Sequence, residues 1–180
     1  MMIESIKHRR SIRKYLPTPV EEEKLQTVLE AARLAPSGNN KQPWAFIIVK
    51  EEARRLALAK ATREQMWIAE APIVIVAVAD VEARGVDVEG LVLDEHSPLW
   101  ELKRVIRDTA IAIGYLLLEA DHQGLGTCWC GAFEQDDIRP LLGIPEDKFV
   151  LAVIPLGYAD QEPPARPRRG LDEIVRYERW

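Results

Sequence analysis

A chain of 180 residues, 47% hydrophobic and with a formal net charge of −5, is long enough for one domain with a substantial core. Two cysteines and three histidines are too few for a disulfide framework or a four-ligand zinc site, and no long apolar run offers a membrane span. The opening Met1-Met2-Ile3-Glu4-Ser5 lacks the charged and then apolar segments of a signal peptide, so a cytoplasmic protein is expected.

Against this acidic background, Lys7-His8-Arg9-Arg10-Ser11-Ile12-Arg13-Lys14 gathers five cationic side chains, a His and a hydroxyl. Thr18-Pro19-Val20-Glu21 predicts a helix start, with Thr18 as N-cap, Pro19 at the first helical position and Glu21 completing a capping box. Leu25, Val28, Leu29, Ala32 and Ala35 continue it at helical spacing until Pro36. Ser37-Gly38-Asn39-Asn40 is a turn, Trp44–Val49 reads as a buried strand, and a helix is expected over 51–66. The segment 72–79 is the clearest strand: short, β-branched and uncharged, as a strand covered on both faces should be.

Residues 81–100 are polar and irregular, with Gly85, Gly90 and Pro98. A loop of that length is usually functional or mobile. Glu95, His96, Trp100 and Lys103 are candidate lid residues, although solvated loop is the favoured reading of each. Asp108 is expected to cap a helix over 109–122, which is apolar nearly all round. Such a helix belongs at the centre of a fold or in an oligomer interface. Gly124 ends it. An apolar segment at 127–133, a small helix near 136–142 and a last strand over 149–156 follow. The tail after Gly157 is too polar for core and is expected to wrap a surface. Alternating helices and strands suggest a sheet with helices on both faces.

Gly124-Leu125-Gly126 is no dinucleotide fingerprint, because the third glycine would fall on Trp129 and the motif follows a helix. Cys128 and Cys130 read first as small core residues. The second basic cluster, Arg166-Pro167-Arg168-Arg169, pairs with the first as two halves of an anion clamp, or both are solvated charge. An acidic pI of about 5.4 and the lack of interleaved aromatics argue against nucleic acid. Arginine forks beside a serine suit a phosphate monoester. In the turn from Pro36 to Trp44, Asn40 and Gln42 offer amide donors and acceptors next to an aromatic ring. A flat heterocycle with a uracil-like edge needs that pairing, and an isoalloxazine carrying a ribityl phosphate needs both features.

Four segments, Arg9-Arg10-Ser11-Ile12-Arg13-Lys14-Tyr15, Pro36 to Trp44, Gly124 to Phe133 and Arg166 to Arg169, resemble the successive motifs of the nitroreductase family of flavoproteins, over nearly the whole chain. The resemblance implies an α+β fold with a mixed, mainly antiparallel central sheet flanked by helices. It implies a single domain over 1–180 and an interlocked homodimer, with the tail from about 158 wrapping the partner and the helix 109–122 at the interface. FMN would be the cofactor. Arg9, Arg10, Ser11 and Arg13 of one subunit, with Arg166 and Arg168 closing, would hold its phosphate. Pro36, Ser37, Gly38, Asn40 and Gln42 would approach the ring from the other subunit. Cys130 and Gly131 would offer main-chain groups near the redox-active nitrogen, and Arg13 is the candidate charge that stabilises the reduced ring.

The implied activity is ping-pong hydride transfer from NADH or NADPH through flavin N5 to a nitroaromatic, quinone or similar conjugated small-molecule acceptor, with no side-chain acid or base demanded. No metal, nucleic acid or membrane enters this reading. The same fold also carries dehydrogenases, reductive dehalogenases and flavin-destroying enzymes, and a flavin-binding module without turnover is a further alternative. Neither the acceptor nor the choice between NADH and NADPH is written in the sequence.

Overall fold

A strand with apolar side chains on both faces can only settle in the middle of a sheet, and that is where residues 73–80 lie. The computed structural model describes residues 2–180; Met1, the first residue of the expected domain and of the opening segment, lies outside them. Strand β2 (Ile73–Asp80) pairs antiparallel with β1 (Trp44–Val49) on one side and β4 (Lys148–Gly157) on the other. The two-residue β3 (Gly126–Thr127) completes the order β1-β2-β4-β3. All of these ladders are antiparallel, so the sheet is antiparallel throughout where a mixed, mainly antiparallel one was expected; the parallel pairing, Ser11 with Thr127, is an isolated bridge outside the named strands.

The period-two alternation sorts the core into two layers. Ile73, Ile75 and Ala77 of β2, with Ala152, Ile154 and Leu156 of β4, pack against α2 (Glu22–Arg33) and α4 (Trp100–His122). Val74, Val76 and Val78, with Val150 and Val153, pack against α3 (Glu52–Ala61), α5 (Gln135–Leu142) and the two cysteines. The α+β fold with helices on both faces is therefore as expected. Among the described residues no helix is long and apolar enough to cross a membrane.

Three expected boundaries move. Helix α2 starts at Glu22 with Glu21 as N-cap and no side-chain cap, so Thr18 and Pro19 stand outside it. The Glu21 carboxylate instead accepts the Tyr158 hydroxyl at 2.7 and 2.9 Å, which ties the helix start to the chain leaving β4. Helix α3 stops at Ala61 instead of 66, because Arg63 and Glu64 take left-handed φ values of 50° and 56°. Helix α4 begins at Trp100, and Asp108 lies inside it instead of capping it. Leu102 and Val105, one helical turn apart, are buried against Val81, Leu93 and Phe149, so the segment that reads as polar loop carries its own apolar seam.

The far half of α4 is apolar nearly all round but not buried all round: Ile111 and Tyr115 are 42% and 44% exposed. A short α1 (Glu4–His8) precedes the sheet, and α6 (Leu171–Ile174) lies in the exposed tail. Gly124, at φ 75°, ends α4 as expected and turns the chain into β3.

Candidate functional site

The segment after α1 is extended, and its position is fixed by glycine. Ile12 donates its N–H to the Thr127 carbonyl at 2.9 Å and presses its side chain on Gly126, where an added Cβ would lie 2.7 Å from Ile12 Cγ1. The Tyr15 hydroxyl donates to the Ile12 carbonyl at 2.7 Å. With Ile12 facing inward, its neighbours Ser11 and Arg13 face the other way. Beyond them the tail returns alongside: Tyr15 bridges Ala159, and Asp160 donates to the Lys14 carbonyl at 3.0 Å.

The result is a cavity of about 350 Å³ lined by Arg9, Arg10, Ser11 and Arg13 from one end of the chain and Gln161, Arg166 and Arg168 from the other. The two basic clusters meet within one chain. None of these five arginines forms an ion pair among the described residues, although acidic side chains outnumber basic ones in the sequence. Arg10 is the most committed: its Nη1 donates to the carbonyls of Lys7, His8 and Arg9 at 2.8–3.0 Å and closes the end of α1, while its Nε is buried without a partner. Arg13 lies over the Trp67 ring, 5.6 Å from its centroid. Arg168 Nη1 donates to the Arg166 and Pro167 carbonyls at 3.2 and 3.3 Å, which folds the tail's end upon itself.

Behind this wall both cysteines are buried and unbridged. The Cys130 thiol donates to the Cys128 carbonyl at 3.8 Å. The neighbouring Cys130 side chain, then Arg13, the Ser11 hydroxyl and Arg9, bring the Cys128 thiol down to about 7. The Cys128 side chain and burial push the Cys130 thiol up. Cys130 closes a bridge with Val153, N–H to carbonyl at 3.1 and 2.9 Å, so its own N–H is not free. Of the two residues expected to offer main-chain donors to a ring, only the exposed Gly131 keeps an unbonded N–H among the described residues.

The turn at 36–42 is built by its own polar groups. The Gln42 N–H donates to Ser37 Oγ at 2.8 Å, the Asn40 N–H to the Ser37 carbonyl at 2.9 Å, and Gln42 Nε2 to the Asn40 carbonyl at 3.3 Å. Asn39, Asn40 and Gln42 sit at φ 55°, 54° and 48°, left-handed conformations that side chains disfavour. Pro36, Gly38, Asn40 and Gln42 are exposed and Ser37 is half-buried.

Two residues that sequence reading missed hold the turn from beneath. Asp108 Oδ2 accepts the Gly38 N–H at 3.2 Å, and Arg84 Nη1 donates to Asp108 Oδ2 and to the Gly38 carbonyl, each at 3.4 Å. In the sequence Asp108 reads as a helix cap and Arg84 as one charge in a polar loop, so neither carried a signal for this role. The arginine cavity has no lining residue from this turn, so one chain does not bring the two expected walls together. The candidate lid residues lie at the surface, with the Glu95 carboxylate accepting from Gln135 Nε2 at 3.0 Å and Arg107 5.9 Å from the Trp100 ring centroid.

Residues 6–158 match the family model described as the Nitroreductase family. The chain is 32% identical over 189 residues to the NADH dehydrogenase of Thermus thermophilus, covering 93% of this chain and 91% of that one. It is 33% identical, with a TM-score of 0.80, to the solved FMN-dependent nitroreductase of Clostridium difficile R20291, covering 99% and 100%. It is 27% identical over 202 residues to the iodotyrosine deiodinase of Thermotoga neapolitana, covering 98% and 97%.

Proposed function

The chain belongs to the nitroreductase family, and from that premise we propose that it is an FMN-dependent oxidoreductase drawing electrons from NADH or NADPH for nitroaromatic, quinone or similar conjugated acceptors. The observation that carries the reading is the cavity holding five arginines without a single ion pair among the described residues, one of them with an orphaned buried Nε. In an acidic protein such a cavity fits a dianionic phosphate, and the residues present fit the FMN phosphate.

When bound, FMN supplies the hydride-transfer chemistry. The chain's own part is to bind, orient and polarise. Arg9, Arg10, Ser11, Arg13, Arg166 and Arg168 hold the phosphate end. Pro36, Ser37, Gly38, Asn40 and Gln42 face the ring of a site in the partner subunit, where amide and main-chain groups match its hydrogen-bonding edge. Gly131 offers a main-chain donor, and Cys130 supports it through its bridge to Val153. Arg13, steadied on Trp67, keeps a positive charge beside the electron-rich ring. The homodimer, the tail from about 158 wrapped on the partner, the single domain over 1–180 and a cytoplasmic location belong to the same proposal.

Similarity to an iodotyrosine deiodinase favours reductive dehalogenation as a second reading. Protein reconstituted with FMN should keep flavin absorbance through gel filtration and oxidise NADH or NADPH when a nitroaromatic or quinone is added. Turnover of a halotyrosine alone would establish the second reading. Retained flavin without turnover by either reductant would mark a binding module, and no retained flavin would end the proposal.

A further inference from the structure

We propose that Arg84 and Asp108 are positioning residues, a buried ion pair that holds the turn around Gly38 in the shape that meets the flavin ring. The inference rests on the assignment of FMN above. The pair is well hidden, with side chains 5% and 15% exposed, although it lies beneath a turn whose Gly38 is exposed. Both of its members reach the same residue, through the two peptide groups that flank it: Asp108 takes the Gly38 N–H, and Arg84 gives to the Gly38 carbonyl.

Gly38 leaves little room for anything else, since a Cβ there would lie 3.2 Å from Arg84 Nη1 and 3.6 Å from Asp108 Oδ2. One residue further along α4, the Thr109 hydroxyl donates to the Pro43 carbonyl at 3.2 Å. Adjacent residues of one 23-residue helix thus fasten both ends of a segment that contains three left-handed side-chain-bearing residues. Such residues persist only where the surroundings over-determine them, and they cluster at ligand clamps. The hydrogen bonds inside the turn, between Ser37, Asn40 and Gln42, are exposed and compete with water, whereas the contact between Arg84 and Asp108 is part-buried and competes less. Removing one partner strands a charge in the interior and releases one side of Gly38.

The test uses full-length protein and reads FMN binding as well as turnover. Asp108→Ala and Arg84→Ala should each raise the Kd for FMN about tenfold or more, the scale expected when a charged hydrogen bond is lost. The visible spectrum of bound flavin should shift toward that of free FMN, and the Gly38 amide should exchange faster. The double variant should be no worse than the poorer single one, because the two residues form one ion pair and act on the one residue Gly38. Asp108→Asn keeps an acceptor for the Gly38 N–H and should recover part of the affinity. Should either alanine variant fail to fold, Asp108→Asn and Arg84→Lys supply the same measurements. Unchanged affinity and spectrum in folded variants, or additive losses, would overturn the proposal. Wild-type protein that binds no FMN would instead refute the cofactor assignment, so the two failures are distinct.

Discussion

An arginine that has no carboxylate to leave can give its whole interaction to a ligand. That is the condition of Arg9, whose guanidinium pairs with no acid among the described residues, and nearly that of Arg168, which pairs with no acid there but gives one nitrogen to the Arg166 and Pro167 carbonyls. Replacing either with alanine should weaken FMN binding by about 1.5–3 kcal/mol, the scale of one hydrogen bond to a charged group. Calorimetric titration reads it directly, and unchanged affinity in both variants would remove the clamp. Cys128 offers a second measurement. Its thiol is brought down from the ordinary 9.0 to about 7, chiefly by the neighbouring Cys130 side chain and then by Arg13, Ser11 and Arg9. A depressed acid contributes stability in full above its unfolded value and loses it as pH falls through the folded one. Wild-type protein should therefore lose stability relative to Cys128→Ser between about pH 9 and pH 7, followed by urea unfolding. Thiolate absorbance should titrate near 7 and vanish in the variant. At this scale the clamp was legible because basic clusters stand out in an acidic chain. Arg84 and Asp108 were not, because each is ordinary alone and Gly38 lies 70 residues from Asp108.

Elements were legible where one periodicity decided the matter. The apolar run of β2 and the glycine stop after α4 needed nothing from the rest of the molecule. The start of α4 did, since its buried Leu102 and Val105 are recognised only through Leu93 in the neighbouring loop and Phe149 in β4. The start of α2 is set by Tyr158, which lies on the far side of the sequence. Strand β3 was legible only as an apolar segment, yet it fixes the arginine wall by packing Gly126 against Ile12. Gly126→Ala would place its Cβ 2.7, 2.9 and 3.0 Å from three Ile12 side-chain carbons, too close without displacement. Overpacking of that kind costs about 1–3 kcal/mol. Ile12 sits between Ser11 and Arg13, so the variant should lose FMN affinity together with unfolding free energy. Shortening the opposing side chain in the double variant Gly126→Ala, Ile12→Ala should recover part of the affinity if packing between them is the cause. An unchanged urea midpoint in Gly126→Ala would show that the wall yields without cost.

In the whole molecule the two expected walls of the site stand apart, arginines around one cavity and the 36–42 turn on the Arg84–Asp108 pair. If the clamp of one subunit and the turn of the other enclose each flavin, two kinds of damage should be separable by mixing. A chain carrying Arg9→Ala and Arg168→Ala has a poor clamp and a sound turn. A chain carrying Asn40→Ala and Gln42→Ala has the reverse. In a dimer of one of each, one site receives both defects and the other receives neither. Co-expression with random pairing should therefore restore roughly one quarter of all sites, while mixtures of separately formed, non-exchanging dimers restore none. Were each site built from a single chain, every site would keep one defect, and mixing would restore nothing. Flavin content of the mixed preparation decides between them, provided that its mass is twice the 20.4 kDa of one chain. The exposed Ile111 and Tyr115 on α4 supply the control. They form the apolar face the dimer would cover, so Tyr115→Asp should leave single chains, and single chains should bind FMN weakly however sound their clamp and turn.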